Sequence, residues 1–492
     1  MDTLYDSASK RKEIKSEHLL WIGLIAFSLI AGISTIMIPP IFMIGLVGVV
    51  VSVFLVFRYP YAGVLLYLVI FMVRPAEMYP SLEPLRIERM VGLLVLVATL
   101  IRHKREHGNL FFPPDVTSRA LYVFLAVMAL SWTISYDPPQ TQIEIEEFMK
   151  LMVFYLLIMY EVNTKLRLNI FIIAFILLVG WIAFLSFRDY YGGGYIVRMG
   201  IQRAIGRTSA GGDANTLAGT LATTIPLVVA IYRVYKEWFI RAGCIALMGL
   251  LLLMIVNTGS RSGLLTLITI FAVLVYFSKY RLVSMVVALV VMTGGWFLLP
   301  SQYKARYETL VDDDRDMDQI SSGRVAIWEN GLRMIMYRPV LGVGGGGFVA
   351  ANASGEFGPS IAMQPHNLYI QLFASYGIVG AVVWLTFLVS LIRKLLRKRE
   401  DADADDEADE ETRAKNYWFD VLRQAMFATI CGLMVSGMFG HSLMRYTWYL
   451  IASMAVSIYA IYYKTTPDTR RKAAGDNAIE TEPITTPEAT QA

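Results

Sequence analysis

Apolar stretches close to the length of a membrane crossing follow one another along almost the whole chain, at about 19–38, 41–57, 61–73, 90–101, 120–134, 149–160, 168–187, 215–232, 241–258, 263–277, 282–300, 368–392, 417–439 and 446–463. A straight helix needs about 20 apolar residues to cross the hydrocarbon layer, so the shorter stretches must borrow flanking residues or bend. Amides with no water around them have to bond within their own helix, which leaves transmembrane helices as the fold. The pattern predicts an all-α polytopic membrane protein with about 12–14 transmembrane helices and a large outer loop that contains short helices.

Composition agrees. Of 492 residues, 56% are hydrophobic and 17% charged, and the mean hydropathy is +0.51; soluble enzymes carry charge on nearer a quarter of their residues. The first apolar segment is as long as a crossing and leads into others, so it is expected to stay as the first span rather than be removed. Cys244 and Cys431 both lie in apolar segments, which argues against a disulfide or a thiol site. Placing the N-terminus in the cytoplasm puts Arg58, Arg102 to Arg105, Lys165, Arg167, Arg233, Arg241, Arg281 and Arg393 to Arg399 on one side, as the positive-inside rule requires. That asymmetry accounts for the net charge of +4 and removes any argument for nucleic-acid binding.

The resulting plan has a cytoplasmic N-terminus (1–18), transmembrane helices 1–11 (19–300), a large outer loop (301–367), and helices 12–14 (368–463) with an acidic cytoplasmic linker (393–416). A disordered cytoplasmic tail follows (464–492). Both termini are expected on the inner side.

The polar residues on the outer side are unusual for their location. Arg261, in NTGSRSG, joins two apolar segments, and an arginine at membrane depth costs about 2.5–3.5 kcal/mol even on lenient scales. Ser321 to Arg324 read as the start of a short amphipathic helix with Val325, Trp328, Leu332 and Ile335 on one face and Pro339 ending it. Arg324 would then share its first turn with unpaired N–H groups, an arrangement suited to an anion such as phosphate. The glycines from Gly342 to Gly347 permit sharp turns, Pro365 suits the first position of a next helix, and His366 would stand in its first turn as a neutral imidazole. Arg203 and Arg207, in IQRAIGRTSAGGDANTLAG, either line a cavity mouth or accompany a helix capped by Asp213 or Asn215. His441 is a weaker cavity residue. The acidic run VDDDRDMD at 311–318 contains a D-x-D pattern, but Arg315 interrupts it and it gives little reason to expect a metal. No Walker lysine follows the glycines, so a nucleotide loop has no support.

The order NTGSRSG, then SGRVAIWENGLRMIMYRPVLGVGGGGF, then PHNLYIQLFASYGIVGAVVW resembles the bacterial O-antigen ligase and O-antigen polymerase superfamily, over roughly residues 200 to 390. That resemblance implies a C-type glycosyltransferase architecture in the inner membrane, with a periplasmic active site and no cofactor or metal. It implies a polyprenyl-diphosphate-linked glycan as donor and either lipid A-core or a second lipid-linked glycan as acceptor. By motif, Arg261 and Arg324 correspond to arginines that hold the donor diphosphate and His366 to the histidine at the acceptor hydroxyl. Arg207, Arg203, Asn367 and Arg338 are the expected substrate-binding residues. Ligase and polymerase stay open, with ligase favoured; a solute or anion transporter and a non-catalytic assembly protein are the readings from other classes.

Overall fold

A computed structural model describes residues 40–108, 115–198, 200–208, 212–298, 301, 303–304, 317–397, 409–440 and 443–465. The chain divides into two compact units, residues 1–63 and 64–492. In the first, the described residues form α1 (Pro40–Arg58) and the first turn of α2 (Pro60–Val73). The second holds the rest of α2, then α3 (Pro75–Met78), a 3-10 turn (Pro80–Leu85), α4 (Ile87–His107), α5 (Val116–Trp132), α6 (Pro138–Glu161) and α7 (Lys165–Tyr191). A hairpin of β1 (Ile196–Arg198) and β2 (Ile201–Arg203) follows, antiparallel and with Ile196 opposite Arg203. Then come α8 (Ala214–Val234), α9 (Trp238–Asn257), α10 (Arg261–Phe277), α11 (Arg281–Leu298), α12 (Met317–Tyr337), α13 (Phe348–Ala353), α14 (Leu368–Leu396), α15 (Glu410–Gly437) and α16 (Tyr446–Thr465).

The protein is all-α and polytopic. Six described stretches are long and apolar enough to cross a membrane: Pro60–Met78, α7, α8, α9, α14 and α15. Shorter apolar helices occupy Val116–Trp132, Arg261–Phe277 and Arg281–Val290. The expected first crossing at 19–38, the N-terminal 1–18, linker residues 398–408 and tail residues 466–492 lie outside the described residues. Trp238, Phe239, Leu282, Val283 and Phe297 stand exposed on α9 and α11, which suits contact with lipid rather than water.

Among the crossings, α15 packs on α8 and α10, α14 on α5, and α16 on α6. Large aromatic rings fill these seams: Trp384 meets Trp448 edge-on at 5.4 Å between centroids, and Phe387 stacks on Tyr449 at 6.0 Å. Both pairs combine apolar burial with a favourable quadrupole geometry.

Within the second unit, α12, the glycine run and α13 pack around Ile327, Met334, Val343, Phe348, Ala351 and Phe357. They fasten to α14 where that helix breaks. Gly377 adopts φ 61 and ψ −165 within α14, which frees the next amides from the helical ladder. Pro339 O takes the Ile378 N–H at 2.8 Å and Val340 O takes that of Val379 at 3.3 Å, while Val343 N donates to Ala374 O at 2.8 Å. Only glycine fits the break: a Cβ on Gly377 would lie 2.6 Å from the Leu341 nitrogen and closer still to the Val340 carbonyl. Gly377→Ala therefore adds a left-handed backbone penalty to a clash with main chain, and is expected to cost about 3 kcal/mol. A thermal midpoint in detergent equal to that of the wild type would contradict this account.

Candidate active site

A cavity of about 660 Å3 opens where one set of helix ends meets. The N-terminal regions of α6, α8, α10, α14 and α16 supply Glu144, Thr216, Ser262, Gln371 and Tyr446, and the C-terminal ends of α2 and α15 supply Phe71 and Ser436. These helix ends therefore lie on one side of the bundle. The volume suits a small-molecule or headgroup site. Helix N-termini gathered on one space bias it toward anions.

Cations reinforce that bias. Arg198, at the end of β1, lines the cavity. Arg261 opens α10 behind the N-cap Ser260, whose hydroxyl accepts from Gly263 N, and its neighbour Ser262 lines the cavity. Arg324 comes from α12. Burial, and then the like charges of Arg261 and Arg198, hold its guanidinium below the ordinary arginine range. Three elements far apart in sequence thus bring arginines close enough to repel, an arrangement that a multiply charged anion would relieve. Bidentate arginine contacts match phosphate oxygens in geometry as well as charge.

His366 lines the same cavity. Its backbone is left-handed, with φ 48, an uncommon state for a residue with a Cβ. Asn367 rather than a residue further back caps α14, its side-chain oxygen accepting from Tyr369 N at 2.9 Å and Ile370 N at 3.2 Å. His366 consequently precedes the helix instead of standing in its first turn, and Pro365 is not the first helical residue. The expectation for Arg324 also needs correction. The helix begins at Met317, so Ser321 to Gly323 lie inside it, and Arg324 is not in its first turn.

The remaining expected residues take other places. Arg203 is buried and donates to Thr258 O at 2.6 Å and Asn215 Oδ1 at 2.8 Å; Ser260 Oγ donates to that same Asn215 oxygen at 2.9 Å. It ties the hairpin to the NTGSRSG turn and the start of α8. Asp213 caps α8 by accepting from Asn215 N and Thr216 N, as one of the two sequence readings has it. Arg207 is exposed and forms a two-pronged pair with Asp189, whose oxygens are the strongest acceptors near it. Arg338 lies over the Tyr136 ring at 5.8 Å and points a guanidinium nitrogen to the Tyr136 hydroxyl at 3.4 Å. Of the expected site residues His366 lines the cavity, whereas Arg261, Arg324, Arg203, Arg207, Arg338 and Asn367 are not among its lining residues. His441 and residues 311–316 of the acidic run lie outside the described residues. Among the described residues, no three or more His, Cys, Asp or Glu converge as metal ligands, and Cys244 and Cys431 are unpaired thiols.

Ser262 and His366 bring the NTGSRSG turn and the loop before α14 to the cavity, and Arg324 on α12 stands near enough to Arg261 and Arg198 to feel their charge. Residues 245–385 match the O-Antigen ligase family model. The matched segment contains Arg261, Arg324 and His366, and it supports the O-antigen ligase and polymerase superfamily. The hairpin arginines precede it. A search of the curated proteins finds no match to this chain.

The cavity also has an acceptor-rich wall that sequence reading missed. Gln140, Glu144, Glu147 and Leu151 line it from one face of α6, at spacings of four, three and four. Glu144 accepts from the Tyr376 hydroxyl at 2.9 Å. Across from α6's contribution, Gln364 and Gln371 each carry a buried side-chain oxygen with no protein partner. The stripe was legible as carboxylates at helical spacing just ahead of the 149–160 apolar segment. Arg445 also lines the cavity; its place there depends on the turn between α15 and α16, which no local pattern shows.

Proposed function

We propose that this O-antigen ligase-family protein is a membrane glycosyltransferase that moves a glycan from a polyprenyl diphosphate to lipid A-core by a metal-independent, inverting displacement. One observation supports the reading: Arg324 stands within reach of the like charges of Arg261 and Arg198, and Arg198 and His366 line one cavity. The diphosphate occupies the arginine side. Its charge grows as the bond from the sugar C1 to the phosphate oxygen breaks, and Arg261 and Arg324, with Arg198, stabilise it there. His366 accepts the proton of the acceptor hydroxyl as that oxygen forms its bond to C1 from the opposite face. The electron pair of the broken bond leaves with the polyprenyl diphosphate. Glu144, Gln364 and Gln371 bind sugar hydroxyls, and Arg203 serves by holding the turn that carries Arg261.

On this reading the protein belongs to the inner membrane, with both termini cytoplasmic and the cavity facing the periplasm. Arg102, Arg167, Arg233, Arg241 and Lys394 belong to the helix ends opposite the cavity, as cytoplasmic residues should. The test is transfer by purified protein in detergent containing EDTA, with a polyprenyl-diphosphate glycan and, in parallel, lipid A-core or further donor. Product on lipid A-core at an undiminished rate is expected. Lengthening of the donor instead would make the protein a polymerase. Absence of both products from folded protein would favour the transporter or assembly readings.

A further inference from the structure

We infer that Trp328 is a positioning residue for His366, acting through the Pro365 carbonyl. The inference rests on the glycosyl-transfer reading for its kinetic consequence but not for its geometry. The indole Nε1–H donates to Pro365 O at 2.8 Å. An indole nitrogen can only donate, and a proline carbonyl can only accept, so the polarity of this bond is fixed. The peptide unit is planar. Anchoring the Pro365 oxygen therefore anchors the amide nitrogen of His366 and the axis about which its φ is set.

That φ is 48, a state that disfavours any side chain with a Cβ and persists where the surroundings impose it. The surroundings impose it from both sides. Trp328 holds the peptide before His366, and Asn367 holds the chain after it by capping α14 at Tyr369 and Ile370. Between these two fixed points the imidazole has a defined point of departure into the cavity. Trp328 also follows Arg324 by four residues on α12, one turn away and on the same face. One short run of helix thereby carries a member of the arginine cluster and the support of the histidine, so a shift of α12 moves both together.

The experiment uses full-length protein with Trp328→Phe and, separately, benzothienylalanine at 328, which keeps the ring shape and replaces the N–H with sulfur. The expected result is a fall in kcat of about five- to tenfold with the donor KM unchanged, the size of one lost hydrogen bond. The rate at which diethyl pyrocarbonate modifies His366, followed by mass spectrometry against the other histidines, should change at least threefold. A purely structural indole predicts neither change in the benzothienyl protein, which decides the matter if Trp328→Phe does not fold. Unaltered kcat and unaltered His366 modification would overturn the inference. If the wild type transfers no glycan at all, the glycosyl-transfer reading fails by itself, and the modification rate still tests the support of His366.

Discussion

His366→Asn is expected to leave the protein folded and to lower glycan transfer by about 10²–10⁴-fold, the range for losing a positioned general base. Asparagine suits the control because it tolerates the left-handed backbone that His366 adopts at φ 48. The substitution then removes the proton acceptor without disturbing the start of α14. His366→Gly, which relieves the left-handed backbone, should be equally inactive. The measurement is initial rate against thermal midpoint in the same detergent. A His366→Asn protein that keeps a tenth or more of the wild-type rate would remove the histidine from the chemistry.

Arg324→Gln should show activity and stability moving in opposite directions. The guanidinium is half-buried and is held among the like charges of Arg261 and Arg198, so the empty protein gains by losing it. The transition state loses a phosphate contact, and removing one such donor typically lowers the rate about 10²–10³-fold. The expected outcome is therefore an inactive protein with an unchanged or raised thermal midpoint. Inorganic pyrophosphate should raise the midpoint of the wild type and raise that of Arg324→Gln less, because ligand that binds only the folded state stabilises it in proportion to its affinity. An inactive variant that is strongly destabilised, with the same pyrophosphate response as wild type, would assign Arg324 to structure.

Much of the architecture was legible in the sequence because apolar length is a local property. The helices from α7 to α10 follow the apolar segments within a few residues, and His366, singled out in the sequence, lines the cavity. Misreadings arose where a local signal competed with its neighbours. Ser321-Ser322-Gly323 resembles a helix start, yet α12 begins at Met317 and runs through it. Pro365 resembles a first helical residue, yet the Asn367 side chain caps two amides and sets the start two residues later. Arg203 and Arg207 look alike in sequence. Burial beside two oxygen acceptors makes one a strap, and Asp189 on the preceding helix claims the other. Those partners lie 12 to 55 residues away along the chain, beyond the reach of any local pattern.

The break at Gly377 has a consequence for how the protein can diversify. Pro339 and Val340 join the loop after α12 to α14 by main-chain carbonyls, and Val343 does so by its amide. This set of bonds involves no side chain apart from the glycine that opens the helix. Substitutions over the outer surface of α12 and the following loops can accumulate without loosening that joint. Variation among such proteins should therefore concentrate on that surface while the joint of backbone beneath it stays the same.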